Sequence, residues 1–81
     1  MIIKILGSGC MNCQALEKRT KEALQELNIE AVVEKVEDFK KIASYGIMHT
    51  PGLVIDEKVV ISGSVPPAKK IKEILLLHRT P

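Results

Sequence analysis

The chain has 81 residues, 46% of them apolar and 27% charged, and its twelve basic against ten acidic side chains leave a net charge of +2. This length gives one domain, residues 1–81, with a small core, and the apolar content excludes disorder by composition. With one Phe, one Tyr, no Trp and no clustered basic patch, nucleic acid is excluded as a partner, and no apolar run nears the eighteen or so residues of a membrane span.

The first element is Ile2-Ile3-Lys4-Ile5-Leu6, a short run rich in β-branched residues that reads as a strand. No basic and apolar leader precedes it, so a soluble, cytoplasmic protein is expected. In that compartment a cysteine pair is more often catalytic or metal-binding than a structural bridge.

Next comes Gly7-Ser8-Gly9-Cys10-Met11-Asn12-Cys13, which holds both cysteines of the chain. Cys13, Leu16, Thr20, Ala23, Leu24 and Leu27 then recur at helical spacing, predicting a helix from Met11 to Leu27. Glu17, Lys18, Lys21, Glu22 and Gln25 form its solvent face, with Glu17 and Lys21 as an i,i+4 pair.

The cysteines therefore fall at a strand-to-helix turn, Cys10 near the helix N-terminus and Cys13 one turn in. Unpaired backbone N–H groups and the macrodipole favour a thiolate at Cys10, lowering its pKa below the free value of roughly 8.5. Cys13 shares the apolar face and is sheltered. One exposed nucleophilic sulfur and one sheltered resolving sulfur suit thiol–disulfide exchange. The same spacing also suits metal ligands. The chain has no second Cys-x-x-Cys, which excludes a closed four-cysteine zinc site within it, and His49 and His78, the further candidate ligands, show no paired spacing.

Asn28 marks the helix stop, and Ala31 to Val36 reads as a second strand. A helical crossover of this length implies parallel strands in a right-handed unit. Asp38 is placed to cap a short helix that turns Phe39, Ile42 and Ala43 inward and ends at Gly46. Leu53-Val54-Ile55 and Val59-Val60-Ile61 flank Asp56-Glu57-Lys58 as a hairpin whose turn type stays open without a glycine. Pro66-Pro67 opens a last helix with an inward stripe of Ile71, Ile74, Leu75 and His78. Leu76 and Leu77 are expected to flank the core, a self-association patch being the alternative. The order is β-α-β-α-β-β-α, an α/β chain.

Cys10-Met11-Asn12-Cys13, with Met48-His49-Thr50-Pro51-Gly52 ahead of the third strand, resembles the redox and cis-proline motifs of the thioredoxin superfamily. The likeness covers the whole chain and is nearest to the small, minimal thioredoxins of archaea and bacteria called redox-active disulfide proteins. It implies a thioredoxin-like fold, with a four-stranded mixed sheet in the order 2-1-3-4 and helices on both faces. It further implies a protein-disulfide reductase whose redox-active disulfide is Cys10–Cys13, a cis Pro51, and Thr50 offering backbone hydrogen bonds to a docked peptide. No cofactor beyond that disulfide is implied. The implied partners are client proteins with disulfides and a thioredoxin-reductase-type electron donor, and the protein is expected to act as a monomer.

Several positions depart from the larger thioredoxins, which have tryptophan before the first cysteine, Gly-Pro between the two and a buried acid on the first strand. This chain has Gly9, Met11-Asn12 and Lys4 there. Ser62-Gly63-Ser64 stands where glutaredoxins carry a Gly-Gly-Asp-like glutathione segment, which disfavours the glutaredoxin-like alternative. The other alternative is a copper or mercury chaperone, whose loop also reads Met-x-Cys-x-x-Cys but whose order ends in a strand. Met11 offers either a soft docking surface or helix-start packing. Asn12 reads as a helix-turn residue and Ser8 as a turn residue near Cys10. Tyr45 and His49 are candidates to border the site, and strand parity leaves open whether Lys4 points toward the cysteines.

Overall fold

A computed structural model describes residues 1–7, 9, 11–47 and 49–78. Strand β1 (Ile2–Leu6) alternates as its residue types demand, sending Ile3 and Ile5 to one face of the sheet and Leu6 to the other. Helix α1 (Met11–Glu26) buries Cys13, Leu16, Thr20, Ala23 and Leu24, the face its spacing predicted. It ends in a Schellman closure with Asn28 at φ 55°: Ile29 N–H donates to the Leu24 carbonyl at 2.9 Å and Asn28 N–H to that of Gln25 at 3.2 Å. The chain returns as strand β2 (Val32–Val36), parallel to β1 with Ile3 beside Val33 and Ile5 beside Lys35.

Helix α2 (Phe39–Ser44) starts where the Asp38 carboxylate accepts from Lys40 N–H at 2.9 Å. Strands β3 (Gly52–Ile55) and β4 (Lys58–Ser62) form the hairpin, and β3 runs antiparallel to β1. The turn between them has positive φ at both Asp56 (47°) and Glu57 (69°), the geometry of a type I′ turn. Aspartate tolerates that conformation, but glutamate does not favour it. It is held by bonds to β1: the Asp56 carboxylate accepts from Ile2 N–H and Asp56 N–H donates to the Ile2 carbonyl, each at 2.8 Å. Helix α3 (Ala68–His78) closes the order, and its entry is tied to α1 by Arg19, whose guanidinium donates to the Pro66 carbonyl at 3.0 Å.

The four strands lie in the order β2-β1-β3-β4, a mixed sheet with helices on both faces. Helices α1 and α3 cover one face with Leu16, Ala23, Leu24, Ile71 and Leu75 against Ile3, Ile5, Leu53, Ile55 and Ile61. A register irregularity between Leu53 and Val54 sets Val60 as well as Ile61 toward this core. The opposite face carries α2 alone, with Ile42 packed on Leu6 and Val54.

Three expectations are corrected. Phe39 is 81% exposed and Ala43 is also exposed, because a helix of six residues lays only one stripe, through Ile42, on the sheet. Leu76 and Leu77 do not flank the core; at 45% and 76% exposure they lie round the helix from the Ile71–Leu75 stripe. Glu17 is not a solvent-face residue, its side chain being only 15% exposed, although it does pair with Lys21 at 3.7 Å.

Candidate active site

The end of β1, the start of α1 and the loop before β3 meet at Gly7. Its N–H is held by the Val36 carbonyl at 3.0 Å, which fixes how the chain leaves the sheet. A β-carbon added to Gly7 would collide with Cys13 Sγ and lie 3.9 Å from Thr50 Cβ, so those two side chains converge on a position that only glycine fits. Gly9 follows with φ 84°, and its carbonyl accepts from the Gln14 amide at 3.2 Å, clamping the loop onto the first turn of α1.

Cys13, the third residue of α1, is 4% exposed and disulfide-bonded. The chain has one other cysteine, Cys10, which precedes the helix in sequence; Cys10, Ser8 and Met48 lie outside the described residues. Met11, at the helix start, is 86% exposed. On the facing loop the Thr50–Pro51 peptide bond is cis, Thr50 is exposed and Pro51 is buried. The Pro51 carbonyl accepts from Gly63 N–H at 2.8 Å, which anchors this loop to the end of β4. Cys13, Met11, Thr50 and Pro51 thus lie around one end of the sheet, where β1 finishes and β3 begins.

Lys4 does not join them. Parity turns it to the α2 face, where its ammonium donates to Glu57 at 2.6 Å and to the Tyr45 hydroxyl at 2.9 Å. The hydrogen bond from Lys4, then their mutual charge, holds Glu57 below the ordinary carboxylate range, and the bonds to Glu57 and Tyr45 raise Lys4 above the ordinary lysine range. Tyr45 is therefore committed to this cluster rather than to the cysteine. His49 is exposed, borders Thr50 in a shallow groove with Phe39 and Ile47, and packs its Cβ against Gly63.

A cavity of about 180 Å³ that the residue pattern does not reveal lies beside Cys13, lined by Glu17, Lys35 and Glu37 as well as Gly7 and Gly9. Lys35 Nζ stands 3.4 Å from Glu17 Oε1. The available signal was Glu17 itself, one helical turn beyond Cys13 and hence its neighbour on the helix surface. Among the described residues no group of three His, Cys, Asp or Glu side chains is placed to hold a metal ion, and no helix is long and apolar enough to cross a membrane.

A four-stranded sheet in the order β2-β1-β3-β4, with Cys13 in the first turn of α1 and the cis-proline loop before β3 across Gly7 from it, defines a thioredoxin-like fold. The family model described as a thioredoxin domain matches residues 1–76. A thioredoxin of Methanothermobacter thermautotrophicus is 44% identical over 75 residues, covering 93% of this chain and 97% of its own. A thioredoxin of Methanocaldococcus jannaschii is 37% identical over 75 residues, covering 93% and 86%. The chain belongs to the thioredoxin family and is a thiol–disulfide oxidoreductase of the thioredoxin type.

Proposed function

We propose that this protein reduces disulfides in client proteins through Cys10 and Cys13 and is itself re-reduced by a thioredoxin-reductase-type donor. The Cys10 thiolate attacks a client disulfide; one client sulfur stays bonded to Cys10 and the other leaves as a thiolate. Cys13 then attacks the Cys10 sulfur, the mixed disulfide breaks, and the second client sulfur departs with the bonding electrons. Two thiols of this chain become a disulfide and the client disulfide becomes two thiols, so two electrons pass from protein to client.

The observation that carries this reading is the setting of Cys13: disulfide-bonded, 4% exposed, in the first turn of α1 and across Gly7 from Thr50. A sulfur sheltered in this way attacks only a partner delivered to it, which is the resolving role. Thr50 and Pro51 supply the backbone edge and Met11 the apolar surface on which an extended client segment docks. The protein works as a monomer in the cytoplasm, with no cofactor beyond its own disulfide.

Replacing Cys13 with serine tests the scheme. Cys13→Ser incubated with a disulfide-containing protein is expected to accumulate an adduct of the two chains, visible without reductant and lost with it, while turnover falls to background. Absence of the adduct, with an accessible substrate disulfide, refutes attack by Cys10 and resolution by Cys13.

A further inference from the structure

Cys13 must shed a proton when it attacks and regain one when its sulfur leaves as a thiolate, yet it is almost wholly buried. The first strand offers no acid for this, since Lys4 faces the other side of the sheet and is bound to Glu57 and Tyr45. The cavity beside Cys13 has room for a few waters and contains two carboxylates, Glu17 and Glu37. Glu17 is the better placed. It follows Cys13 by four residues on α1, helical side chains lean back toward the preceding turn, and its side chain is 15% exposed whereas Glu37 is exposed. Its Oε1 is held by Lys35 at 3.4 Å and its Oε2 by Lys21 at 3.7 Å, which fix the carboxylate at the cavity wall.

We propose that Glu17 is the proton acceptor for Cys13, working through water in this cavity, with Lys35 as its positioning residue. The inference rests on the oxidoreductase reading above. In the resolving step the Cys13 S–H proton passes through water to the Glu17 carboxylate. The sulfur lone pair forms the new bond to Cys10, and the client sulfur leaves with the electron pair of the broken disulfide. Glu17 then releases its proton to solvent through the open side of the cavity. In the reverse direction, as a reductase opens the protein's own disulfide, Glu17 in its acid form protonates the departing Cys13 thiolate. The other ionisable groups facing this path are Glu37 and Lys35 on the cavity wall and Lys21 on α1.

The test follows the two thiolates released when the reduced protein meets one equivalent of dithiobis-nitrobenzoate. The first thiolate reports attack by Cys10 and the second, independent of concentration, reports resolution by Cys13. Glu17→Gln is expected to leave the first phase unchanged and to slow the second by about tenfold or more near neutral pH, the scale of a lost general base. Its second-phase rate should then climb about tenfold per pH unit, where the wild-type rate is nearly flat. Glu17→Asp should recover part of the flat profile, and Glu22→Gln, the same charge change on the exposed side of α1, should behave as wild type. A Glu17→Gln second phase equal to wild type in rate and pH dependence overturns the assignment of Glu17 while leaving the redox reading intact. A wild-type protein that releases no second thiolate overturns both.

Discussion

The two faces of the sheet are built on different terms. Under α1 and α3 ten buried residues from five elements interlock among the described residues, and Cys13 opens the same buried stripe of α1. Under α2, among the described residues, only Leu6, Ile42 and Val54 form the buried cluster, with Val36, Tyr45 and Ile47 partly buried against it, and a polar link completes the closure: Lys4 reaching across to Tyr45 and to Glu57 at the hairpin tip. The difference teaches where rigidity is needed. The face that positions Cys13 is held by close packing, which has one low-energy arrangement. The other is held by one short helix and an ion pair, one of whose partners is 66% exposed.

The comparison breaks first if truncation costs the same on both faces. Leu16→Ala, removing a side chain with no exposure, should lower stability by about 3–4 kcal/mol in denaturant unfolding, and Ile42→Ala by about 2 kcal/mol. Equal losses would mean that α2 is as firmly packed as α1. Gly7→Ala probes the join between the packed face and the cysteine turn. The new methyl would overlap Cys13 Sγ, so a loss of about 1–3 kcal/mol is expected together with slower disulfide exchange.

Lys4→Met sharpens the polar side. With Glu57 held low and Lys4 held high, their contribution is complete at neutral pH. It is lost as pH falls through the folded value of Glu57, below the usual carboxylate value of about 4.3, and as pH rises through that of Lys4, above the usual lysine value of about 10.4. The variant should therefore be less stable than wild type near pH 7, and the gap should narrow in acid as Glu57 is protonated; a gap of unchanged size there would mean that the loss comes from the Tyr45 hydrogen bond or from packing rather than from the Glu57 pair. The smallest effect is expected from Phe39→Ala, within about 0.5 kcal/mol, since the ring rests on the surface of the α2 face.

Much of this was legible in the residues. The strand before Gly7, the helical stripe from Cys13 to Leu24, Asn28 as a helix stop and Asp38 as a cap all depend on neighbours a few positions away, where propensity and periodicity act. The placement of Phe39 did not follow, because an apolar residue on a short helix is buried only if something lies opposite it, and the length of α2 decides that. The turn at Asp56-Glu57 was equally opaque, because its positive φ values are held by bonds to Ile2 and Lys4, more than fifty positions distant.

Local pattern by itself determined the order of elements, the Cys-x-x-Cys at a strand-to-helix turn and the apolar stripe that shelters Cys13. Only tertiary structure decided which groups surround that cysteine. It sent Lys4 to the far face, set Lys35 beside Ile5 so that it reaches Glu17, and brought Thr50 across Gly7. Those outcomes depend on strand register and on which face each helix covers, and both are set by the burial of the whole core at once rather than by any stretch of chain alone.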